Sequence, residues 1–146
     1  MPITEFTLRL LCAMGAGFLI GLERDFSAKP AGLRTNMLVS VGSAFFVLLS
    51  IHMTVEHGDV TRIIGQVVTG VGFLGAGIIF KEGFNIRGLT TAATVWCSSA
   101  VGCIAAAGLF FETLIATSFI ITINFAFLPL DIWLSKKRKQ KESHPE

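Results

Sequence analysis

The sequence predicts an all-α membrane protein, a polytopic bundle of five transmembrane helices with the N-terminus outside and the C-terminus in the cytosol. Hydrophobic residues make up 52% of its 146 residues and charged residues 15%, and the mean hydropathy is +0.69. Because a soluble domain carries about 25% charged residues, this chain lacks the residues that would cover a water-facing surface. Its apolar residues also fall into separate long stretches, and its basic residues fall between them.

The apolar stretches set the number of helices, because a helix that crosses a membrane needs about 20 largely apolar residues. The stretch from 89 to 134 is too long for one crossing, and Gly108 with Glu112 marks the predicted turn within it. The predicted spans are about 3–22, 33–55, 63–80, 89–107 and 110–134. They form a transmembrane domain over residues 1–134, followed by a basic cytosolic tail at 135–146.

The basic residues predict the orientation. On five spans, ten of the twelve lysines and arginines lie on one side, Arg62 lies on the other, and Arg9 lies within the first span. Cytosolic loops carry an excess of lysine and arginine, so the connection 23–32, the connection 81–88 and the tail are predicted to be cytosolic. A basic segment next to an apolar one indicates anionic lipid headgroups rather than nucleic acid.

Glycines predict where helices pack. Small residues let helix backbones approach closely in lipid, so we expect a helix–helix seam within one chain or between two, and a homo-oligomer, with a dimer favoured. The segment 70–75 also matches the dinucleotide fingerprint GxGxxG, but no strand precedes it and we interpret the match as false. The predicted packing positions are Gly17, Gly21, Gly70, Gly72, Gly75 and Gly77.

Charged side chains near the ends of the spans allow two interpretations. Glu5 and Arg9 are four residues apart and are expected to pair on one helix face. The charges of the two cytosolic connections are either an ordinary solvated rim or one functional surface, and in the second case we expect Glu23 to pair with Arg34 or Arg87. The sequence contains no catalytic constellation, metal-ligand spacing or cofactor motif that we accept, so we predict no enzyme activity and no cofactor.

The two connections and the helices beside them carry a family resemblance. The segments 21–24 (GLER) and 29–35 (KPAGLRT) resemble one signature of the MgtC/SapB family of bacterial inner-membrane proteins, and 72–77 (GFLGAG) with 87–96 (RGLTTAATVW) resembles a second. The positions that match are Glu23, Arg24, Lys29, Pro30, Gly32, Arg34, Thr35, Arg87, Gly88, Thr90, Thr91 and Trp96. The resemblance favours a functional surface at the two connections.

The resemblance implies a multi-pass inner-membrane protein associated with adaptation to low magnesium and, in pathogens, with survival inside host cells. Family members are often labelled magnesium transporters, and a competing view is that MgtC binds and restrains the F-type ATP synthase. MgtC continues into a soluble cytosolic domain where this chain ends at Glu146, so we expect a short form. We predict a non-enzymatic protein that acts through protein contacts. Its expected partners are membrane lipids, other copies of the chain and a membrane complex such as the F-type ATP synthase. The alternative is a Mg²⁺ transporter or channel.

Overall fold

In a computed structural model, the described residues form a bundle of five α-helices with one short β-hairpin. The structure describes residues 1–53, 59–82, 85–127, 129 and 133. The elements are α1 (Ile3–Phe26), α2 (Leu33–Met53), α3 (Val60–Ile78), β1 (Phe80–Glu82), β2 (Asn85–Arg87), α4 (Leu89–Ala106) and α5 (Phe110–Ala126). The prediction of an all-α bundle with five helices is confirmed. The side of the membrane on which each end lies stays a prediction.

The helix lengths agree with membrane crossing. Four helices, α1 to α4, are long and apolar enough to span a membrane. The fifth, α5, has 17 residues, which corresponds to about 25 Å at 1.5 Å per residue. Its predicted continuation to residue 134 and the basic tail at 135–146 lie almost wholly outside the described residues. The division into a domain over 1–134 and a tail therefore stays a prediction.

The β-hairpin is the element that the sequence did not predict. Its strands are antiparallel, with Phe80 opposite Arg87 and Glu82 opposite Asn85. The third span was expected to continue to residue 80, but α3 ends at Ile78. The segments Phe80–Glu82 and Asn85–Arg87 thus pair with each other between α3 and α4 instead of extending the helix.

The bundle is built around α4. This helix contacts each of the other four helices, and more than half of its membrane-length segment is buried. The side chains that it buries are small: alanine, serine, threonine, glycine, valine and cysteine. Small side chains let neighbouring helices approach closely, which explains how an 18-residue helix is surrounded on so many sides.

Hydrogen bonds between buried polar side chains join α2 to its neighbours. Ser98 of α4 donates to Asn36 Oδ1 at 2.7 Å, and the hydroxyls of Ser43 and Ser99 are 2.7 Å apart. The Ser40 hydroxyl donates to the Ala13 carbonyl of α1 at 2.7 Å. Buried polar groups must find partners in a medium without water, so these bonds fix the register of α2 against α1 and α4.

Arg9 closes one end of the bundle. Its guanidinium donates to the Ala106 carbonyl at the end of α4 and pairs with Glu5. The predicted Glu5–Arg9 pair is confirmed. Arg9 also satisfies a carbonyl at the C-terminal end of α4, where a cation is favoured. The turn that follows α4 is tight: Gly108 has φ +82° and packs against the Arg9 side chain.

Candidate functional site

The candidate site lies at the end of the bundle opposite Arg9, which we call the loop face. It comprises the α1–α2 connection (27–32), the described residues of the connection between α3 and α4 (79–82 and 85–88) and the helix turns beside them. One hydrogen bond links the helix turns beside the two connections, from Arg24 Nη2 in the last turn of α1 to Thr91 Oγ1 in the first turn of α4, at 3.0 Å. The convergence of the charges of the two connections on one functional surface stays a prediction.

Arg24 is almost completely buried, with 2% of its surface exposed. An arginine is rarely buried to this extent unless its charge has partners. Thr91 accepts from one guanidinium nitrogen, whereas Arg24 Nε has no hydrogen-bond partner among the described residues. The charge is therefore held inside the loop face with part of its hydrogen-bonding capacity unused.

Glu23, the neighbour of Arg24, is also buried, at 8% exposed. Its Oε1 accepts from the Ser27 hydroxyl at 2.9 Å, and its Oε2 is buried with no hydrogen-bond partner in the described part of the chain. The expected pairing of Glu23 with Arg34 or Arg87 is wrong. Ser27 lies one helical turn beyond Glu23 on the same face and donates to one of its two carboxylate oxygens, whereas both arginines are exposed.

The α1–α2 connection is shaped by glycine and Asp25. A Cβ on Gly21 would lie 2.5 Å from the Leu33 Cα, and one on Gly32 would overlap the Asp25 carboxylate. Asp25 Oδ2 accepts from the Leu33 amide at 3.1 Å, at the first residue of α2. This bond satisfies one of the amides that a helix leaves unpaired at its start, so Asp25 ties the end of α1 to the beginning of α2.

Asn36 supports the same connection from inside the bundle. Its side-chain amide donates to the Ala31 carbonyl and to the Gly32 carbonyl, the latter at 2.9 Å. Ala31 and Ala28 have φ of +56° and +50°, a left-handed conformation that alanine seldom adopts. Asp25 and Asn36 were both missed by the sequence analysis. A polar residue inside an apolar stretch, as Asn36 is, was the available signal.

The start of α4 depends on Gly88. It has φ +88°, and a Cβ there would overlap the Ile78 carbonyl oxygen. Its own carbonyl accepts the Ala92 amide at 2.8 Å, which opens the helix. Gly88 therefore lets the chain turn from the hairpin into α4 and brings Thr91 beneath Arg24.

The remaining predicted site residues lie on the surface of the loop face. We call them the exposed rim, because each has an exposed side chain, in contrast to Glu23, Arg24 and Thr91. Thr91 is 4% exposed, whereas its neighbour Thr90 points outward. The exposed rim consists of Lys29, Pro30, Arg34, Thr35, Arg87 and Thr90.

The predicted packing glycines divide into two groups. A Cβ on Gly17 would lie 2.7 Å from the Asn36 carbonyl oxygen, so Gly17 and Gly21 pack α1 against α2 within the chain. Gly75 faces Ala92 of α4 at an ordinary 3.7 Å. Gly70, Gly72 and Gly77 have open space where a Cβ would be. For these three, packing within the described part of the chain is excluded, and packing against another chain stays a prediction.

Gly102, which the predicted set did not include, makes a closer approach than Gly75. A Cβ there would overlap the Ser40 carbonyl oxygen and come within 2.9 Å of the Ser40 Cα. The backbones of α2 and α4 therefore touch at this point. Gly102 is buried in the second half of α4, and the sequence alone did not show that α4 is the central helix.

These features define a multi-pass membrane protein with a buried charged cluster at one end of its bundle. A sequence model described as the MgtC family matches residues 10–132. The chain is 55% identical over 129 residues to Protein MgtC of Brucella abortus, covering 88% of this chain and 54% of that protein. It is 50% identical over 124 residues to Protein MgtC of Salmonella typhimurium, covering 85% of this chain and 53% of that protein.

The chain belongs to the MgtC family. An uncharacterised protein of Synechocystis is also similar, at 43% identity over 135 residues, covering 92% of this chain and 57% of that protein. No solved structure matches the chain significantly. The chain spans about half the length of the curated relatives it matches.

Proposed function

We propose that this chain is a non-enzymatic protein of the bacterial inner membrane that acts through protein contacts at its loop face, in adaptation to low magnesium or related stress. The observation that carries the proposal is the Arg24–Thr91 hydrogen bond. It joins the last turn of α1 to the first turn of α4, which lie beside the two connections, and the exposed rim presents lysine, arginine and threonine side chains. A partner with an acidic surface suits such a rim.

The internal support of the loop face favours a docking surface over a mobile one. Asp25 and Asn36 hold the α1–α2 connection through hydrogen bonds to its backbone and to the start of α2. Gly88 fixes the other connection against the end of α3. A surface that is already ordered loses little conformational entropy when it binds.

Two kinds of partner suit this proposal. A second copy of the chain would use the open glycine positions of α3 at Gly72 and Gly77, where another backbone could approach closely. A membrane complex such as the F-type ATP synthase, the partner that the family resemblance implies, would instead dock on the exposed rim. The low-magnesium setting likewise comes from the family and is part of the proposal.

A Mg²⁺ transporter or channel is the second candidate, and one observation favours it. Glu23 Oε2 is buried and has no hydrogen-bond partner in the described residues, and a carboxylate oxygen is a ligand that Mg²⁺ accepts. Against it, five acidic residues lie at helix ends, namely Glu5, Glu23, Asp25, Asp59 and Glu112. A transporter is expected to place acidic groups near the middle of the membrane.

Photo-crosslinking in intact cells tests the proposal. A photoreactive amino acid is placed at Thr35 or Thr90 on the exposed rim, and at Phe119 of α5, which is exposed elsewhere on the bundle, as the matched control. The proposal expects one discrete adduct from the rim positions and none from Phe119. It also expects purified protein in liposomes to pass no more Mg²⁺ than empty liposomes. Mg²⁺ flux that is lost in Glu23→Gln would establish the second candidate instead.

A further inference from the structure

A groove runs between α2 and α3 on the outer surface of the bundle. Two adjoining cavities, of about 500 and 490 Å³, share Phe46, Ile63 and Gln66 in their walls. One of them reaches Asp59 and Arg62 at the start of α3. The other continues along the two helices to Leu38 and Leu74. The two cavities therefore form one continuous groove.

Glycine keeps the groove open. Gly42 of α2 and Gly70 of α3 line it, and neither has a neighbouring atom within 4 Å of the position that a Cβ would take. In lipid, a space between helices that is wide enough for a hydrocarbon chain is filled by one, because a void would forgo the dispersion contacts of its walls.

The polarity of the groove changes in one direction along α3. Asp59, Arg62, Gln66, Gly70 and Leu74 follow one another at intervals of three or four residues, which places them on one face of the helix. Two charged groups come first, an amide follows one turn later, and the last two positions are apolar. This order matches a phospholipid, whose charged headgroup is followed by ester groups and then by hydrocarbon.

The length of the groove indicates one lipid molecule rather than a partner helix. From Arg62 to Leu74 is twelve residues, which is about 18 Å at 1.5 Å per residue. One leaflet contributes about half of the 30 Å hydrocarbon core, whereas a spanning helix needs all of it. The charged end lies next to the start of α3, where the headgroup region of one leaflet would be.

The charges at the mouth of the groove have opposite signs. Hydrogen bonds from the Thr61 hydroxyl and amide lower the pKa of Asp59 below its ordinary value, with a small contribution from the Arg62 charge. The carboxylate is therefore ionised at neutral pH. An anion and a cation three residues apart complement a headgroup that also carries both charges.

We propose that this groove binds one phospholipid whose zwitterionic headgroup carries a primary ammonium. Arg62 donates to the lipid phosphate, the type of contact that a guanidinium makes well. Asp59 accepts from the ammonium, and Gln66 lies at the level of the glycerol esters. One acyl chain lies over Gly42 and Gly70. The site uses neither Arg24 nor the exposed rim.

Native mass spectrometry of the purified protein tests the proposal. Phosphatidylethanolamine, phosphatidylcholine and phosphatidylglycerol with identical acyl chains are added in equal amounts, and the bound lipid is counted. We expect one bound phosphatidylethanolamine, in about tenfold preference over phosphatidylcholine, the ratio expected when a charge-assisted hydrogen bond is lost. Equal binding of the two would overturn the proposed headgroup recognition.

Three variants separate the parts of the site. Arg62→Gln is expected to reduce binding of all three lipids. Asp59→Asn is expected to abolish the preference for phosphatidylethanolamine without reducing binding of the other two lipids. Asparagine keeps the helix cap because it is as good an N-cap as aspartate. Gly70→Leu fills the groove and should prevent binding. Gly72→Leu, which adds the same side chain to an open position outside the groove, is the control. Binding by Gly70→Leu equal to that by Gly72→Leu would contradict the site.

Discussion

Arg24 at the end of α1 donates a hydrogen bond to Thr91 at the start of α4, across 67 residues of sequence. Both side chains are buried, at 2% and 4% exposed. A buried arginine whose partner is removed retains its charge in a medium of low polarity, so loss of this bond costs more than the bond itself contributes. The relation between these two residues holds the loop face together.

Replacing the hydroxyl of Thr91 therefore tests the coupling of the two connections. Thr91→Val has nearly the same shape but cannot accept from Arg24, and we expect it to lower the free energy of unfolding by about 1–3 kcal/mol. Thr91→Ser keeps the acceptor and is the control. Unfolding in detergent micelles by a denaturant titration measures both. A Thr91→Val variant as stable as the parent would mean that the hydrogen bond contributes nothing, and a loss in Thr91→Ser would measure the missing methyl group instead.

The close approach of α2 and α4 at Gly102 gives a second prediction. A Cβ there overlaps the backbone of Ser40, so Gly102→Ala must push the two helices apart. We expect a loss of about 1–3 kcal/mol, as overpacking of a filled core gives. Gly72→Ala adds the same methyl group to an open position and should change stability little. The melting temperatures of the two variants in one detergent make the comparison, and a stable Gly102→Ala variant would show that the bundle can separate at this point without cost.

The cap of α3 predicts a pH dependence. The Thr61 hydrogen bonds lower the pKa of Asp59 in the folded state, so the ionised carboxylate stabilises the fold. This contribution is fully present above the ordinary aspartate pKa of about 3.9 and is lost as the pH falls through the lower folded-state value. We expect protection of the Thr61 amide from hydrogen exchange to decrease over that interval. In Asp59→Asn, which cannot titrate, the protection should not follow this change; parallel decreases in both proteins would refute the assignment.

The orientation of the bundle gives a prediction that depends on sequence alone. Ten lysines and arginines fall on the side that includes the loop face, against Arg62 on the other, so the loop face is predicted to be cytosolic. Alkaline phosphatase fused after Leu134 is expected to be inactive, and the same enzyme fused in the 53–59 connection to be active. An active fusion after Leu134 would reverse the C-terminal orientation.

Long apolar stretches predicted the helices well, because hydrophobic length decides whether a helix spans a membrane. The start of α2 at Leu33 and of α4 at Leu89 agree with the predicted starts. The hairpin at 80–87 was missed because Phe80 continues the apolar pattern of α3, and the close contact of Gly88 with Ile78 that turns the chain is a tertiary one.

The functional role of the predicted site residues stays a prediction, and their contacts could not be predicted from the sequence. The partner of Glu23 was predicted wrongly, because a serine four residues away competes with distant arginines and the sequence does not say which is nearer. The close approach of α1 to α2 at Gly17 agrees with the expectation for small residues, whereas Gly72 and Gly77 show that the same residue type on α3 faces outward.

Growth in limiting magnesium tests the central claim, that the exposed rim carries the function, most directly. A bacterial strain that lacks its own family member is complemented with the parent chain, with Arg34→Gln on the rim, or with Glu112→Gln at the other end of the bundle, and membrane levels of the three proteins are matched. We predict that Arg34→Gln loses growth support and that Glu112→Gln keeps it, because the rim contacts the partner and the far end does not. Normal growth with Arg34→Gln and failed growth with Glu112→Gln would contradict the account and favour ion transport.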